Sequence, residues 1–148
     1  MTTLTTLPQR LEKRFKRFEK KVDTRGRNIV IGAHIAAARG TPADTGEARS
    51  NWRMTAAAVI PSGQIPAYAP GKDLGIEETQ NLSIAVAQGK RVAARWKPSG
   101  GKPIHLFNNW SQIERLNNGE ISQQGSHFVE SARAKLIQLT KLTKWLDR

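Results

Sequence analysis

The 148-residue sequence has no cysteine, which excludes a disulfide framework and any thiolate-held metal. Its three histidines, His34, His105 and His127, lie far apart without the i, i+4 spacing of helical metal ligands. Nothing in the residues calls for a metal or a cofactor. No apolar run approaches the ~20 residues needed to cross a bilayer, so no membrane partner is expected. The opening MTTLTTLPQR lacks the charged-then-apolar layout of a signal peptide, and the expectation is a chain that stays in the cytoplasm where it is made. Aromatics are scarce at 6% and hydrophobic residues make up only 38%. That composition fits one domain over residues 1–148 with a thin core and much surface, and it points towards an oligomer.

Acidic residues are scarce too: 12 Asp or Glu face 24 Lys or Arg, for a net charge of +12. The excess is uneven. Residues 1–30 hold Arg10, Lys13, Arg14, Lys16, Arg17, Lys20, Lys21, Arg25 and Arg27 against Glu12, Glu19 and Asp23, which is half of the net charge in a fifth of the chain. Such a concentration suits an anionic partner, and it equally suits the solvated face of a helix.

Periodicity predicts an α+β fold with a long N-terminal helix, a small mostly antiparallel sheet, an additional helix and a C-terminal amphipathic helix. Leu7, Leu11, Phe15, Phe18 and Val22 recur at spacings of three and four, with Thr6 at the N-cap and Pro8 in the first turn. Arg10, Arg14, Arg17 and Lys21 form a charged stripe beside them, so one side is expected to pack while the next stays charged. Gly26 weakens the middle by ~1 kcal/mol relative to Ala, which leaves one long helix or two shorter ones open. GEARSNWRMTAAAVI reads as a helical turn running into a strand, and the Pro- and Gly-rich residues 61–75 as an exposed loop. Glu77 and Glu78 open a helix with Leu82, Ala85 or Val86, Gly89, Ala93 and Trp96 on one face. IHLFNN alternates weakly as a strand, and Phe128, Ala132, Leu136, Leu139, Thr143 and Leu146 mark the closing helix.

Enzymatic motifs are missing. SGGKP lacks the first Gly and the final Ser or Thr of a phosphate-binding loop and runs into Pro103, and no Gly-x-Ser-x-Gly occurs. The one suggestive triplet is Asp44-Thr45-Gly46. In an aspartic protease that triplet ends a buried apolar strand, where desolvation and a facing aspartate split the two carboxyl pKa values. Here Arg-Gly-Thr-Pro-Ala precedes it, a loop in which Thr41 or Asp44 caps a turn with its side-chain oxygen. The triplet reads as a corner.

TPADTGEARSNW, then YAPGK, IHLFNNWSQIERLNNG and SQQGSHFVESA follow one another along nearly the whole chain. In this order they resemble the tail-completion, neck or head-to-tail joining proteins of tailed bacteriophages. The sharpest element is Thr41, Pro42, Asp44, Thr45, Gly46, Arg49, Asn51 and Trp52. The later loop, with Asn108, Asn109, Gly119 and Gln124, matches less closely: Trp110-Ser111 stands where the family has Pro-Tyr, and Gly125-Ser126 where it has Ala-Pro. The resemblance implies a non-enzymatic virion structural protein, made in the host cytoplasm and placed at the neck or tail. It implies a ring of identical copies with sixfold symmetry. The neighbours it implies are a head-side connector or stopper and tail-tube or terminator proteins, with double-stranded DNA passing through. Within that expectation Arg10, Arg14, Arg17 and Lys21 face an acidic neighbouring ring, the DNA channel or solvent. The rival from another class is a small basic nucleic-acid-binding protein. Its base-stacking platform would interleave aromatics with cations, whereas Trp52 and Trp96 sit singly, as core anchors do.

Overall fold

The computed structural model describes residues 6–42, 46–69, 80–121 and 127–141. The fold is α+β. One helix, α1 (Thr6–Gly40), is roughly 52 Å long at 1.5 Å per residue. It is followed by a single turn, α2 (Glu47–Ser50), strand β1 (Trp52–Thr55), helix α3 (Gln80–Arg95), strand β2 (His105–Asn108), short α4 (Ile113–Asn117) and α5 (Phe128–Lys141). A 3-10 turn over Pro98–Gly100 links α3 to β2. The strands pair antiparallel with Trp52 opposite Asn108 and Thr55 opposite His105.

The weak middle of α1 is held from outside. A Cβ at Gly26 would lie 2.5 Å from Pro98 Cγ, so the glycine admits the 3-10 turn, and Arg27 Nε donates to Trp96 O (2.8 Å). Asp23 accepts from Ser99 N (2.9 Å), a hydrogen bond that holds its carboxyl below the ordinary range. These contacts offset the local glycine penalty, and a single helix results.

The core is as thin as the composition requires. Ala37, Ala38, Ala48 and Ala132 bring the backbones close around Trp52, Leu82, Leu116 and Phe128, with Trp52 and Phe128 edge to face at 6.3 Å. On α3 the buried face is Asn81, Leu82, Ala85, Gly89 and Ala93, which adds Asn81 to the predicted stripe and drops Trp96, half-buried just beyond the helix; Glu77 and Glu78 lie outside the described residues. α5 lies antiparallel along the C-terminal half of α1: Phe128 sits against Gly40 and Leu139 against Gly32. Of the stripe expected to close the fold, Phe128 and Ala132 are buried while Leu136 is exposed, and Thr143 and Leu146 lie outside the described residues.

Candidate functional site

Two places carry the residues singled out from sequence: the corner joining α1 to β1, and the free end of α1. At the corner, Thr41 N (3.2 Å) and Oγ1 (2.8 Å) both donate to Ala37 O, and the same Oγ1 accepts from Trp52 Nε1 at 2.7 Å. Asp44, the other candidate cap, lies outside the described residues, and Thr41 uses its side-chain oxygen as a donor here. It stands at a helix C-terminus, where the orphan groups are carbonyls and a hydroxyl must donate. Arg49, only 2% exposed, donates Nε to Thr41 O at 3.0 Å and locks α2 onto the end of α1. Gly46 starts α2 at φ 80°, and a Cβ there would run into the Asn81 side chain, so the position requires glycine. Pro42 is half-buried beside Thr41; Asp44 and Thr45 lie outside the described residues.

The asparagines prove to be staples for the long loop after β1. Asn51 Oδ1 accepts from Ile65 N (2.9 Å) and its Nδ2 donates to Ile65 O (2.8 Å), which imitates a strand pairing with one side chain. Asn81 does the same for Ala69 N and O, at 2.8 and 3.1 Å, and Ser50 Oγ accepts from Tyr68 N. Asn109 Nδ2 donates to Pro61 O and Gly63 O, and Arg53 Nη2 to Gly63 O. Asn108 instead ties β2 to α2 through Ala48 O at 2.8 Å. Gly119 ends α4 at φ 77°, and Gln124 lies outside the described residues. The exposed loop expected over 61–75 is therefore exposed only over 61–64 and at Pro66; Ile65 and residues 67–69 are half-buried under these staples, and 70–75 are not described. Ser50 at the end of α2, Asn81 in the first turn of α3 and Arg53 in β1 are not marked by the sequence motifs; what they share is a polar side chain at an element that borders the Pro/Gly-rich loop.

His34 is 1% exposed at the crossing of α1 and α3. Nε2 lies 3.1 Å from Trp52 O, which can only accept, so that nitrogen carries the proton. Nδ1 faces Gly89 so closely that a Cβ there would collide with it. Burial pushes the pKa below the ordinary 6.5, outweighing the carbonyl contact that raises it. The folded state therefore binds fewer protons than the unfolded state, and stability falls as pH drops through and below 6.5. Urea titrations between pH 7.5 and 5.5 should show a loss of as much as about 1.4 kcal/mol per pH unit below the unfolded pKa. His34→Gln, which keeps a donor for Trp52 O, should flatten that dependence; an unchanged pH profile in the variant would remove His34 as its cause.

At the free end of α1, Leu7 to Lys21 are exposed on every side. Arg10, Arg14, Arg17 and Lys21 lie on one face as expected. The adjoining apolar stripe does not pack: Leu7, Leu11, Phe15 and Phe18 are 55%, 49%, 68% and 56% exposed. The spacing of apolar residues fixes which of them share a face, but covering that face needs a neighbour, and described α5 lies over only the other half of α1. A depression of about 490 Å³ is lined by Leu7, Arg10, Leu11, Lys13, Arg14 and Arg17. Glu12 is turned away to Lys16 at 2.7 Å.

Among the described residues no three His, Asp or Glu side chains are grouped to hold a metal, and no helix is long and apolar enough to cross a membrane. No protein-family model, curated protein or solved structure matches the chain.

Proposed function

We propose that the chain is a virion structural protein of the head-to-tail junction, a ring subunit that completes the tail or joins it to the head around the DNA channel. The observation that carries this reading is the bare end of α1, four large apolar side chains beside four cations on a chain whose core is built mainly of alanine. Such a surface is stable in water only at a cost, and assembly removes it. The bacteriophage resemblance of TPADTGEARSNW supplies the setting. Its corner residues act mechanically: Thr41, Arg49 and Trp52 fix the end of α1, and Asn51 fixes the loop that follows β1.

A ring needs heterologous contacts that close on themselves, so two different patches of one copy must meet on its neighbours. Apart from the bare end of α1, the stapled loop, with Val59 77% and Ile60 43% exposed at its tip, is an apolar feature available for such contacts between copies. The neighbours in this reading are a head-side connector or stopper and the tail-tube or terminator proteins, and double-stranded DNA passes through.

The nucleic-acid-binding alternative draws on the net charge of +12. Against it, Trp52 is buried with its indole on Thr41, Trp96 donates Nε1 to Lys102 O, and Trp110 packs against the core. Trp52 is buried, and Trp96 and Trp110 are half-buried, each beside a different element, so the three do not form one exposed stacking platform.

Negative-stain imaging of the purified protein, together with a reconstruction of the neck in phage particles, tests the proposal. Rings of identical copies with the sixfold symmetry of a tail are the expected result. A single copy per particle would sink it.

A further inference from the structure

The stripe of α1 that α5 covers does not stop where α5 does. Gly32, Ala36 and Gly40 lie in the same helical phase as Ile29, Val22, Phe18, Phe15, Leu11 and Leu7, linked by steps of three, four and seven residues. One seam thus runs the whole helix. Its C-terminal half carries a helix; its N-terminal half ends in four exposed apolar side chains with Arg10, Arg14, Arg17 and Lys21 along one edge.

We propose that residues 7–21 of α1 are the docking site for an acidic amphipathic helix of a different protein, laid along the line that α5 occupies further on. Its apolar face would cover Leu7, Leu11, Phe15 and Phe18, and its carboxylates would meet the arginine edge and the depression between Leu7 and Arg17. A helix is the fitting occupant because the same seam already accepts one, against the small residues of its other half.

Among the described residues, the long helices of a second copy do not supply the acidic complement. α3 carries Lys90, Arg91 and Arg95 with no acid, and α5 sets Glu130 against Arg133, Lys135 and Lys141. Arm against arm brings seven cations and three acids from each partner over residues 6–23, and of those acids Glu12 already holds Lys16 while Asp23 holds Ser99 N. Duplex DNA would satisfy the cations but leave the two leucines and two phenylalanines in water, since phosphates need only charge.

This inference goes beyond the ring reading and does not depend on it, so the peptide test below and the imaging above can fail separately. The full-length protein would be titrated with a synthetic amphipathic helix bearing a leucine seam flanked by glutamates. Three comparisons accompany it: the same peptide with lysine at every glutamate, a DNA duplex, and vesicles of anionic lipid. Binding to the glutamate peptide is expected, about tenfold or more weaker for the lysine peptide, and weakened to a similar degree by Phe15→Ser with Phe18→Ser or by Arg14→Glu with Arg17→Glu. The serine variant should melt at the wild-type temperature, because both rings are exposed in the isolated chain. No binding to the glutamate peptide, equal binding of the lysine peptide, or indifference to the serine pair would overturn the proposal. So would tighter binding to the vesicles or the duplex. A serine variant melting several degrees early would mean that the chain covers its own stripe, and would overturn it as well.

Discussion

If the chain is the head-to-tail junction subunit proposed above, replacing Arg10, Arg14, Arg17 and Lys21 together by Glu is expected to stop the joining of heads to tails while leaving the protein folded. All four side chains are exposed, and Leu7 to Lys21 project clear of the core. Exposed substitutions of this kind usually change stability by no more than about 0.5 kcal/mol each. Like charges brought together across an interface cost several kcal/mol, and every ~1.4 kcal/mol is a factor of ten in affinity. In a phage complemented with the variant, infectious titre should therefore fall by at least about a hundredfold, with heads and tails accumulating separately. Circular dichroism of the purified variant should match wild type. If the cations line the channel instead, particles will assemble and differ in DNA retention or ejection, because each lost phosphate contact lowers salt-sensitive affinity. Particles that assemble and deliver DNA like wild type would leave the stripe as solvated surface.

The fold was legible where a pattern is local. The spacing of Leu7 to Val22 marks α1, the face from Leu82 to Ala93 marks α3, and Gly46 marks the corner through a left-handed φ that only glycine adopts freely. The unity of α1 was not legible, because it rests on Pro98 packing on Gly26, a contact between residues distant in sequence. α4 went unseen for a different reason: five residues are too few to display a helical period. The order of elements is consequently richer than the α, β, α, β, α read from the sequence.

At the candidate site the limits are also physical. The resemblance grouped Thr41, Arg49, Asn51 and Trp52; in the structure Arg49 and Trp52 both bond Thr41, while Asn51 bonds Glu47 and Ile65. Direction of donation did not follow from type: Thr41 gives its proton to a helix-ending carbonyl and takes one from an indole. Asn51 and Asn109 read as members of a motif, but their work is to replace missing strand pairing for the loop after β1. The bare stripe on α1 was the largest departure. A seven-residue pattern reports amphipathicity equally well for a helix that packs within its own chain and for one that waits for a partner.

Trp52→Ala is expected to be the most damaging single core substitution of those considered. The indole is 6% exposed, stands edge to face on Phe128, and donates to Thr41 Oγ1, while its backbone carbonyl accepts from His34. It therefore joins β1 to the end of the helical layer where the N-terminus of α5 meets the C-terminus of α1. Removing so large a side chain costs ~3–5 kcal/mol when the surroundings do not collapse into the space. Here Ala37, Ala38, Ala48 and Ala132 have no longer side chains to swing inward. Since whole domains are stable by only ~5–15 kcal/mol, the variant should be partly unfolded at physiological temperature. Trp52→Phe keeps an aromatic ring near Phe128 and loses the bond to Thr41, so its cost should be nearer ~1–2 kcal/mol. Urea unfolding followed by circular dichroism separates the two. If Trp52→Ala unfolds within about 1 kcal/mol of wild type, the tryptophan does not anchor this core, and the corner must draw its rigidity from Arg49 and Thr41 instead.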